Sequence, residues 1–304
     1  MPELTITSPS NPRLKHVNAL RRRRERDNSG LTLIDGFEEL SLAIHAGVHP
    51  RTLFWCPELM APEATSIVSD ARATGAETIR LSRNAFEKIA YREGPDGVLA
   101  IVPGLHRNLT DLHPTNTTFT LIAQAVEKPG NLGAMLRTCD AAGVDAFIAA
   151  DPVTDWGNPN LIRSSKGTVF SVPVAADPTE ATLEWITENN IALIATTPDT
   201  DTLHTDIDYT GPIAIAVGTE KTGLDQRMLA AATHRVRIPM HGHANEKTTL
   251  PQKPAFTSAP SLGTVEEYLS RSVEENAQLI SQLSKEQREA LNKEIDQQNA
   301  KNTQ

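Results

Sequence analysis

The stretch EKPGNLGAMLRTCDAAGV, residues 127–144, decides how this sequence folds. It follows FTLIAQAV, residues 119–126, an apolar run typical of a strand that is buried on both faces of a parallel sheet. Gly130 and Gly133 lack side chains where a backbone or a ligand must approach closely. The amides that open the following helix favour negative charge, and Arg137 adds a cation that can bind phosphate. The pattern predicts a site for a phosphate-bearing partner; the alternative is a plain helix start with a surface arginine.

A second strand end carries a similar turn. AIAVGTEKTGLD, residues 214–225, runs from a strand into Gly218 and then Glu220. In parallel α/β sheets, ligands bind beyond the carboxyl ends of the strands. We therefore expect the turns at Gly130 and Gly218 to close around one pocket, where Glu220 accepts hydrogen bonds from a ligand or orients Arg137. The alternative is an ordinary strand-to-helix loop whose glutamate favours the helix N-terminus.

Residues 118–245 alternate between apolar strands and helices, which predicts a parallel α/β sheet. No GxGxxG motif follows a strand and neither GxxxxGKS nor GxxxxGKT occurs, which argues against an ordinary Rossmann dehydrogenase or a P-loop enzyme. The predicted strands are FTLIAQAV, DAFIAA, VFSVPV, IALIATT, PIAIAVG and RVRIPM, and the predicted helices cover residues 131–142, 158–166, 178–189 and 224–232.

Residues 1–103 predict a smaller α/β unit in front of this sheet. Residues 104–117 are polar and lack periodicity, as in a linker. Residues 246–304 form a polar tail, with apolar residues at helical spacing between 264 and 299. The first unit would contain the strands LTLIDG, RTLFWC and DGVLAIV and the helices NPRLKHVNALRRRRERDNSG, FEELSLAIHAG, APEATSIVSDARATG and NAFEKIAYRE.

The composition favours a cytoplasmic protein without a membrane anchor. Hydrophobic residues make up 39% of the 304 residues, but no apolar run reaches the roughly 20 residues needed to span a bilayer. The N-terminus lacks the apolar core of a secretory signal. Cys56 and Cys139 stand far apart without a CxxC pattern, which suits a reducing compartment and argues against a zinc site or a disulfide framework. His241 and His243 alone are too weak a pattern for a metal site, so no metal is expected.

A basic run near the N-terminus predicts contact with RNA. The net charge is −9, but a local basic surface matters more for binding phosphate than the total charge does. The alternative is a solvated helix face, and we favour RNA binding. The candidate RNA-binding residues of this run are Arg13, Lys15, Arg21, Arg22, Arg23 and Arg24.

Four segments in this order are specific: PGNLGAMLRTCDAAG, NPNLIRSSKGTVFSVPV, AIAVGTEKTGL and VRIPMHG. They closely resemble motifs of the SpoU-type (TrmH-like) RNA 2′-O-ribose methyltransferases, part of the SPOUT superfamily. Near the N-terminus, ITSPSNPRLKHVNALRRRRERDNSGLTLIDG and YREGPDGVLAIV resemble the accessory RNA-binding domain of these enzymes. That domain is similar to ribosomal RNA-binding proteins of the kink-turn type.

The resemblance implies a fold and an activity. The fold is an α/β sheet whose C-terminal segment is threaded into a deep trefoil knot, a rare exception to unknotted topology. S-adenosylmethionine binds in the knotted loops, and its methyl group passes to a ribose 2′-hydroxyl of ribosomal or transfer RNA. The enzymes are usually homodimers with the active site near the subunit interface.

Matching positions also imply roles for single residues. Asn131, Arg137 and Glu220 are the catalytic candidates. Arginine is a reluctant base, so we prefer Arg137 as the group that fixes a phosphate and stabilises developing negative charge, with Asn131 orienting Arg137 or the ribose. Arg163 is a candidate RNA phosphate contact or else a surface helix arginine. The candidate cofactor-binding residues are Thr196, Gly218, Glu220, Gly223, Ile238, Met240 and Gly242.

The match ends just beyond the last motif. The family continues there with a Ser-Leu-Asn segment, whereas Glu246, Lys247 and Thr248 stand roughly at these positions here. The difference supports an alternative function, an RNA-binding protein of this family that does not transfer methyl groups. A generic nucleotide-binding enzyme is a third option, which the missing glycine motifs disfavour.

Overall fold

The computed structural model describes residues 4–105 and 107–239, which form two β-sheets with helices packed against them. The first sheet has the strand order β1-β4-β3-β5-β2. Strands β1, β4 and β3 are mutually parallel, and β5 runs antiparallel to both β3 and β2. Its strands are β1 (Leu4–Ile6), β2 (Leu31–Asp35), β3 (Thr52–Trp55), β4 (Glu77–Leu81) and β5 (Val98–Pro103).

Short helices connect the strands of this first sheet. The prediction of a single basic helix over residues 11–30 is wrong, because Arg22 has extended dihedral angles and separates two helices. Leu14, Val17 and Leu20 face the core from the first helix, whereas Arg26 is the buried residue of the second. The helices are α1 (Pro12–Ala19), α2 (Arg23–Ser29), α3 (Phe37–His45), α4 (Ser66–Ala73) and α5 (Arg83–Glu87).

Two strands of the first sheet were not predicted. β1 has only three residues, and β4 begins with exposed Glu77 and carries exposed Arg80 between buried Ile79 and Leu81, so neither forms an apolar run. Both owe their conformation to sheet pairing, since Ile6 lies opposite Leu81 at the sheet edge.

The second sheet confirms the predicted parallel α/β architecture. All its strand pairs are parallel, in the order β11-β9-β10-β6-β7-β8. Apolar side chains fill both faces, because the sheet is covered by helices. Its strands are β6 (Phe119–Gln124), β7 (Ala146–Ala150), β8 (Val174–Asp177), β9 (Ala192–Thr196), β10 (Ile213–Val217) and β11 (His234–Val236), and its helices are α6 (Pro129–Ala142), α7 (Pro159–Ser164), α8 (Thr179–Glu188) and α9 (Gln226–Ala231).

The predicted strand VFSVPV, residues 169–174, is wrong except at Val174. Gly167 turns the chain with a φ of 84°, and Thr168–Phe170 form a 3-10 helix before β8 begins at Val174. Val169 and Val172 are buried all the same, so these apolar residues belong to the core without belonging to the sheet.

The two sheets are joined by buried polar contacts. Arg26 donates from Nε and Nη2 to the Asp155 carboxylate at 3.2 and 2.6 Å. The Thr32 hydroxyl donates to the Gly157 carbonyl, and Asn160 Nδ2 lies 3.0 Å from the Tyr91 hydroxyl. The loop after β7 and the start of α7 are therefore held against the first sheet.

The predicted linker also packs on the second sheet. Ala176 on β8 donates its backbone N–H to the Arg107 carbonyl at 3.1 Å. Leu109 begins a 3-10 helix that ends at Asp111, and both Leu109 and Leu112 are buried. Within residues 4–105 and 107–239, no helix is long and apolar enough to cross a membrane.

Candidate active site

The segments that follow β6 and β10 meet at one edge of the second sheet. Residues 129–133 are the first turn of α6, which begins at Pro129, two residues before the predicted helix. The two strands are parallel neighbours, with Ala123 opposite Val217. Beyond their carboxyl ends, Asn131 Nδ2 donates to Glu220 Oε1 at 2.8 Å. The expected convergence of the two turns is confirmed by this bond.

The Glu220 carboxylate accepts from two side chains. Lys128 Nζ lies 3.1 Å from Oε2, while Asn131 occupies Oε1. These two hydrogen bonds, that from Asn131 first, hold the pKa of Glu220 below its ordinary value. Lys128 was not a predicted site residue, although its place directly before the Pro-Gly-Asn turn put it at the strand end. Glu220 is therefore an ionised acceptor at neutral pH.

Arg137 lies two turns along α6 and has no counter-ion among the described residues. Its Nε is buried without a hydrogen-bond partner there, and burial lowers the pKa of its guanidinium. Neither Asn131 nor Glu220 forms a hydrogen bond or ion pair with it, so the prediction that they orient Arg137 is not seen in the structure. A half-buried guanidinium without a described partner suits an incoming anion.

Close packing of α6 on α7 sets the position of Arg137. A Cβ at Gly133 would lie 2.0 Å from Ser164 Oγ and 2.7 Å from the Ser164 carbonyl carbon. Only glycine allows the two helices this close, and Arg137 follows one turn later on the same helix side. Ser164 also donates to the Pro129 carbonyl at 3.1 Å, which ties α7 to the start of α6.

The Gly218 turn is folded on itself. Thr219 and Gly223 exchange backbone hydrogen bonds of 3.2 and 3.1 Å. A Cβ at Gly218 would lie 2.1 Å from the Gly223 carbonyl carbon, and Gly223 itself has a φ of 68°. The two glycines therefore shape the loop that presents Glu220.

The other predicted cofactor residues lie on neighbouring strands. Thr196 ends β9, is buried, and donates to the Ala216 carbonyl at 2.8 Å. Ile238 follows β11 and is partly buried. Met240 and Gly242 lie outside the described residues.

Gln124 is a structural residue of this edge that the sequence argument missed. It is buried at the end of β6, donates to Thr179 Oγ1 at 2.9 Å, and accepts from the Asp225 backbone at 2.8 Å. Asp225 in turn caps α9 by accepting from the Met228 N–H at 2.9 Å. In the sequence, Gln124 stands out as an amide side chain in a strand that is otherwise mostly apolar. This network fixes the β6 end relative to the segment that follows the Gly218 turn.

The predicted RNA-binding residues fall into two groups, of which the first is held by the fold. Arg21 donates to the Ile89 and Ala90 carbonyls at 3.0 and 2.7 Å and lies over the Tyr91 ring. Arg13 pairs with Glu77 at 2.6 Å, and Arg23 donates to the Val153 carbonyl at 3.0 Å.

The second group consists of exposed side chains that have no or only weak contacts with described residues. Lys15, Arg24 and Arg163 form no side-chain hydrogen bond or ion pair with any described residue. Arg22 is exposed and only 4.0 Å from Glu25, a weak contact. No cluster of three or more potential metal ligands occurs in residues 4–105 and 107–239.

Comparisons with known proteins match both parts of the chain. The model of the SpoU rRNA Methylase family matches residues 118–245, and that of the MRM3-like substrate binding domain matches residues 11–100. The 23S rRNA (guanosine(2553)-2′-O)-methyltransferase RlmP of Bacillus subtilis (strain 168) is 27% identical over 239 residues, covering 79% of this chain and 92% of the relative.

Solved structures agree with this assignment. A crystal structure of an RNA 2′-O ribose methyltransferase superposes with a TM-score of 0.71 at 36% identity, covering 80% of this chain and 92% of that one. An AdoMet-bound rRNA methyltransferase from Sinorhizobium meliloti gives a TM-score of 0.73 at 27% identity, covering 79% and 90%. Since the sequence match includes the turns that bring Asn131 and Glu220 together, and the fold match extends over both sheets, the chain belongs to the SpoU methylase family.

Proposed function

We propose that this chain methylates a ribose 2′-hydroxyl of ribosomal or transfer RNA at the site formed by Asn131, Arg137 and Glu220. S-adenosylmethionine is the methyl donor of the SpoU enzymes to which the chain belongs. The observation that carries the proposal is the hydrogen bond from Asn131, at the start of α6, to Glu220. The same helix bears the half-buried Arg137, which has no partner among the described residues.

The described residues fit this cofactor. Thr196, Gly218 and Ile238 follow three adjacent strands, β9, β10 and β11, so their backbones share one edge of the sheet. Gly218 leaves that edge without a side chain, which lets a ligand approach the main chain. When bound, the cofactor supplies a methyl group activated on a sulfonium. We assign Thr196, Gly218, Glu220, Gly223, Ile238, Met240 and Gly242 to its binding.

Asn131 acts as an acceptor for the ribose hydroxyl. Its amide nitrogen donates to Glu220, and its Oδ1 forms no hydrogen bond with the described residues. The ionised Glu220, held by Lys128, keeps the amide in this orientation. The oriented carbonyl oxygen of Asn131 can accept a hydrogen bond from the 2′-hydroxyl. This hydrogen bond directs a lone pair of the 2′-oxygen towards the methyl group.

Arg137 supplies positive charge. A guanidinium has no acceptor atom and does not serve as a base near neutral pH. With no described anion paired to it, its charge is available to an RNA phosphate and to the negative charge that develops on the 2′-oxygen. Burial strengthens this interaction because the local dielectric constant is lower than that of water.

RNA contacts are assigned to exposed cations. Lys15, Arg22, Arg24 and Arg163 have side chains available for phosphate, whereas Arg21 is engaged by backbone carbonyls. Each phosphate contact should make the logarithm of the binding constant fall by roughly 0.7 to 0.9 per decade of salt.

The resemblance to the family also supports proposals on organisation. The division is residues 1–103 for RNA binding, 104–117 as linker, 118–245 for methyl transfer and 246–304 as a polar tail. A C-terminal trefoil knot, a homodimer with the site near its interface, and a cytoplasmic location belong to the same proposal.

The direct test is methyl transfer from labelled S-adenosylmethionine to ribosomal and transfer RNA, followed by nucleoside analysis for 2′-O-methylation. Arg137→Ala should abolish the signal, and Arg51→Ala, an exposed arginine on the first sheet, should not change it. Undiminished transfer by Arg137→Ala would contradict its role.

Calorimetry distinguishes the RNA-binding alternative. Micromolar affinity for S-adenosylmethionine, roughly −8 kcal/mol, is expected of the enzyme. Tight RNA binding without any cofactor binding would favour a non-catalytic protein.

A further inference from the structure

A crevice of about 190 Å³ lies between α2, the chain just after β5 and the loop that follows β7. It is lined by charged side chains from all three segments. They are Arg23, Arg26, Asp27, Arg107 and Asp155.

The crevice has an excess of positive charge. Asp155 is neutralised by Arg26 at 2.6 Å, and Asp27 lies 3.6 Å from Arg23. Arg107 is exposed and has no ion pair among the described residues. In a chain with a net charge of −9, this unpaired cation makes the crevice a local site for an anion.

The size of the crevice restricts what it can hold. At about 190 Å³ it is smaller than the roughly 300 Å³ at which pockets for drug-sized ligands begin. It exceeds the roughly 30 Å³ of one water several-fold. Trp156 lines it, is 3% exposed, and has an indole Nε1 without a partner in the described chain. The Trp156 Nε1 has almost no accessible surface and does not identify a ligand, whereas the exposed Arg107 at the rim fits the phosphate of a single nucleotide.

The crevice adjoins the candidate active site through Thr154. This residue lines the crevice, and its hydroxyl donates to the Glu127 carbonyl at 2.6 Å. Glu127 directly precedes Lys128, whose ammonium group pairs with Glu220. An RNA strand that passes Lys128 at the candidate active site can therefore place a neighbouring nucleotide in the crevice.

We propose that this crevice binds one nucleotide of the substrate RNA that flanks the methylated ribose, with its phosphate held by Arg107. The proposal rests on the proposed function, since it requires an RNA strand at the adjacent site. Arg26 and Asp155 form the ion pair that joins α2 to the loop after β7, two of the segments that line the crevice.

Binding of RNA measured without methyl transfer tests the proposal. The probe is a fluorescein-labelled, mixed-sequence single-stranded RNA of about 20 nucleotides, followed by anisotropy at several salt concentrations. Arg107→Gln should weaken binding about threefold to tenfold and reduce the salt slope by roughly 0.7. Arg80→Gln removes an exposed charge on β4, which lies three strands from β2 in the first sheet, and should leave both unchanged. If the two variants have the same RNA affinity and the same salt slope, the proposal is overturned.

Photo-crosslinking locates the bound strand. RNA that contains 4-thiouridine, irradiated in the near ultraviolet with the wild-type protein, should mark the peptides that contain Arg107 or Trp156. Crosslinks confined to other peptides would refute the crevice site. If the wild type methylates RNA but fails both tests, the proposed function stands and the crevice site falls; if it neither binds nor methylates RNA, both fall.

Discussion

Replacing Arg137 with methionine is expected to stabilise the fold while abolishing methyl transfer. The Nε of Arg137 is buried without a partner in the described chain, and an unsatisfied buried donor costs about 1–3 kcal/mol. Methionine keeps the unbranched stem and the helix propensity. Part of the gain is offset by lost packing, so we expect the free energy of unfolding to rise by about 1 kcal/mol. That corresponds to roughly 2–4 °C in melting temperature for a domain of this size.

The sign of the expected stability change in Arg137→Met does not depend on pH near neutrality. Burial lowers the pKa of Arg137, so the folded state disfavours the charged form. The cost is fully present while the guanidinium is charged, and it disappears only as the pH rises through the folded pKa. The gain of the methionine variant should therefore be the same at pH 6 and pH 8.

Urea unfolding followed by circular dichroism measures the change. Arg163→Met, at an exposed arginine on α7, is the control and should stay within about 0.5 kcal/mol of wild type. A loss of more than about 1 kcal/mol for Arg137→Met would mean that Arg137 has a stabilising partner, which refutes the reasoning. Transfer activity should fall at least about a hundredfold, and Arg137→Lys should not restore it because lysine lacks the planar fork.

Three further predictions concern the supports of the site. Gly133→Ala should lower the free energy of unfolding by about 1–3 kcal/mol, measured by thermal unfolding. Adding Ser164→Gly should recover only part of this loss, because the new Cβ would also lie 2.7 Å from the Ser164 carbonyl carbon. Asp155→Ala should lower the free energy of unfolding by about 3 kcal/mol, because it leaves Arg26 buried without its ionic partner. A double-mutant cycle with Arg26→Met should show coupling between the two residues, and strict additivity would contradict this. The Glu220 carboxylate, with its lowered pKa, should stabilise the protein above its ordinary pKa of 4.5 and lose this effect as the pH falls through the folded pKa. The urea midpoints of wild type and Glu220→Gln should therefore converge in acid, and a constant difference from pH 7 to pH 3 would argue against it.

The predictable parts of the fold are those in which local pattern and tertiary environment agree. β6, β7, β9 and β10 are mostly apolar runs, which a sheet covered on both faces can bury. Turns with Gly130 and Gly218 mark where these strands end. From these features alone, the convergence of Asn131 and Glu220 was predictable, because neighbouring parallel strands end at one edge.

Other parts could not be inferred because long-range contacts decide them. β4 is a strand through pairing on both sides, although three of its five residues are polar. The break between α1 and α2 reflects Arg26, which turns inward to reach Asp155, 129 residues further along the chain. A basic run alone cannot show which arginine is needed by the fold and which is available to RNA.

The sequence by itself determined the parallel sheet, the position of its strand-end turns and the family. This is possible because apolar periodicity and glycine act within a few residues of where they stand. Only the tertiary structure decided that Lys128 joins Glu220, that Arg137 stays unpaired among the described residues, and that a charged crevice forms beside them. These features depend on distances between side chains far apart in the chain, and hydrogen bonds and ion pairs act only over a few ångströms.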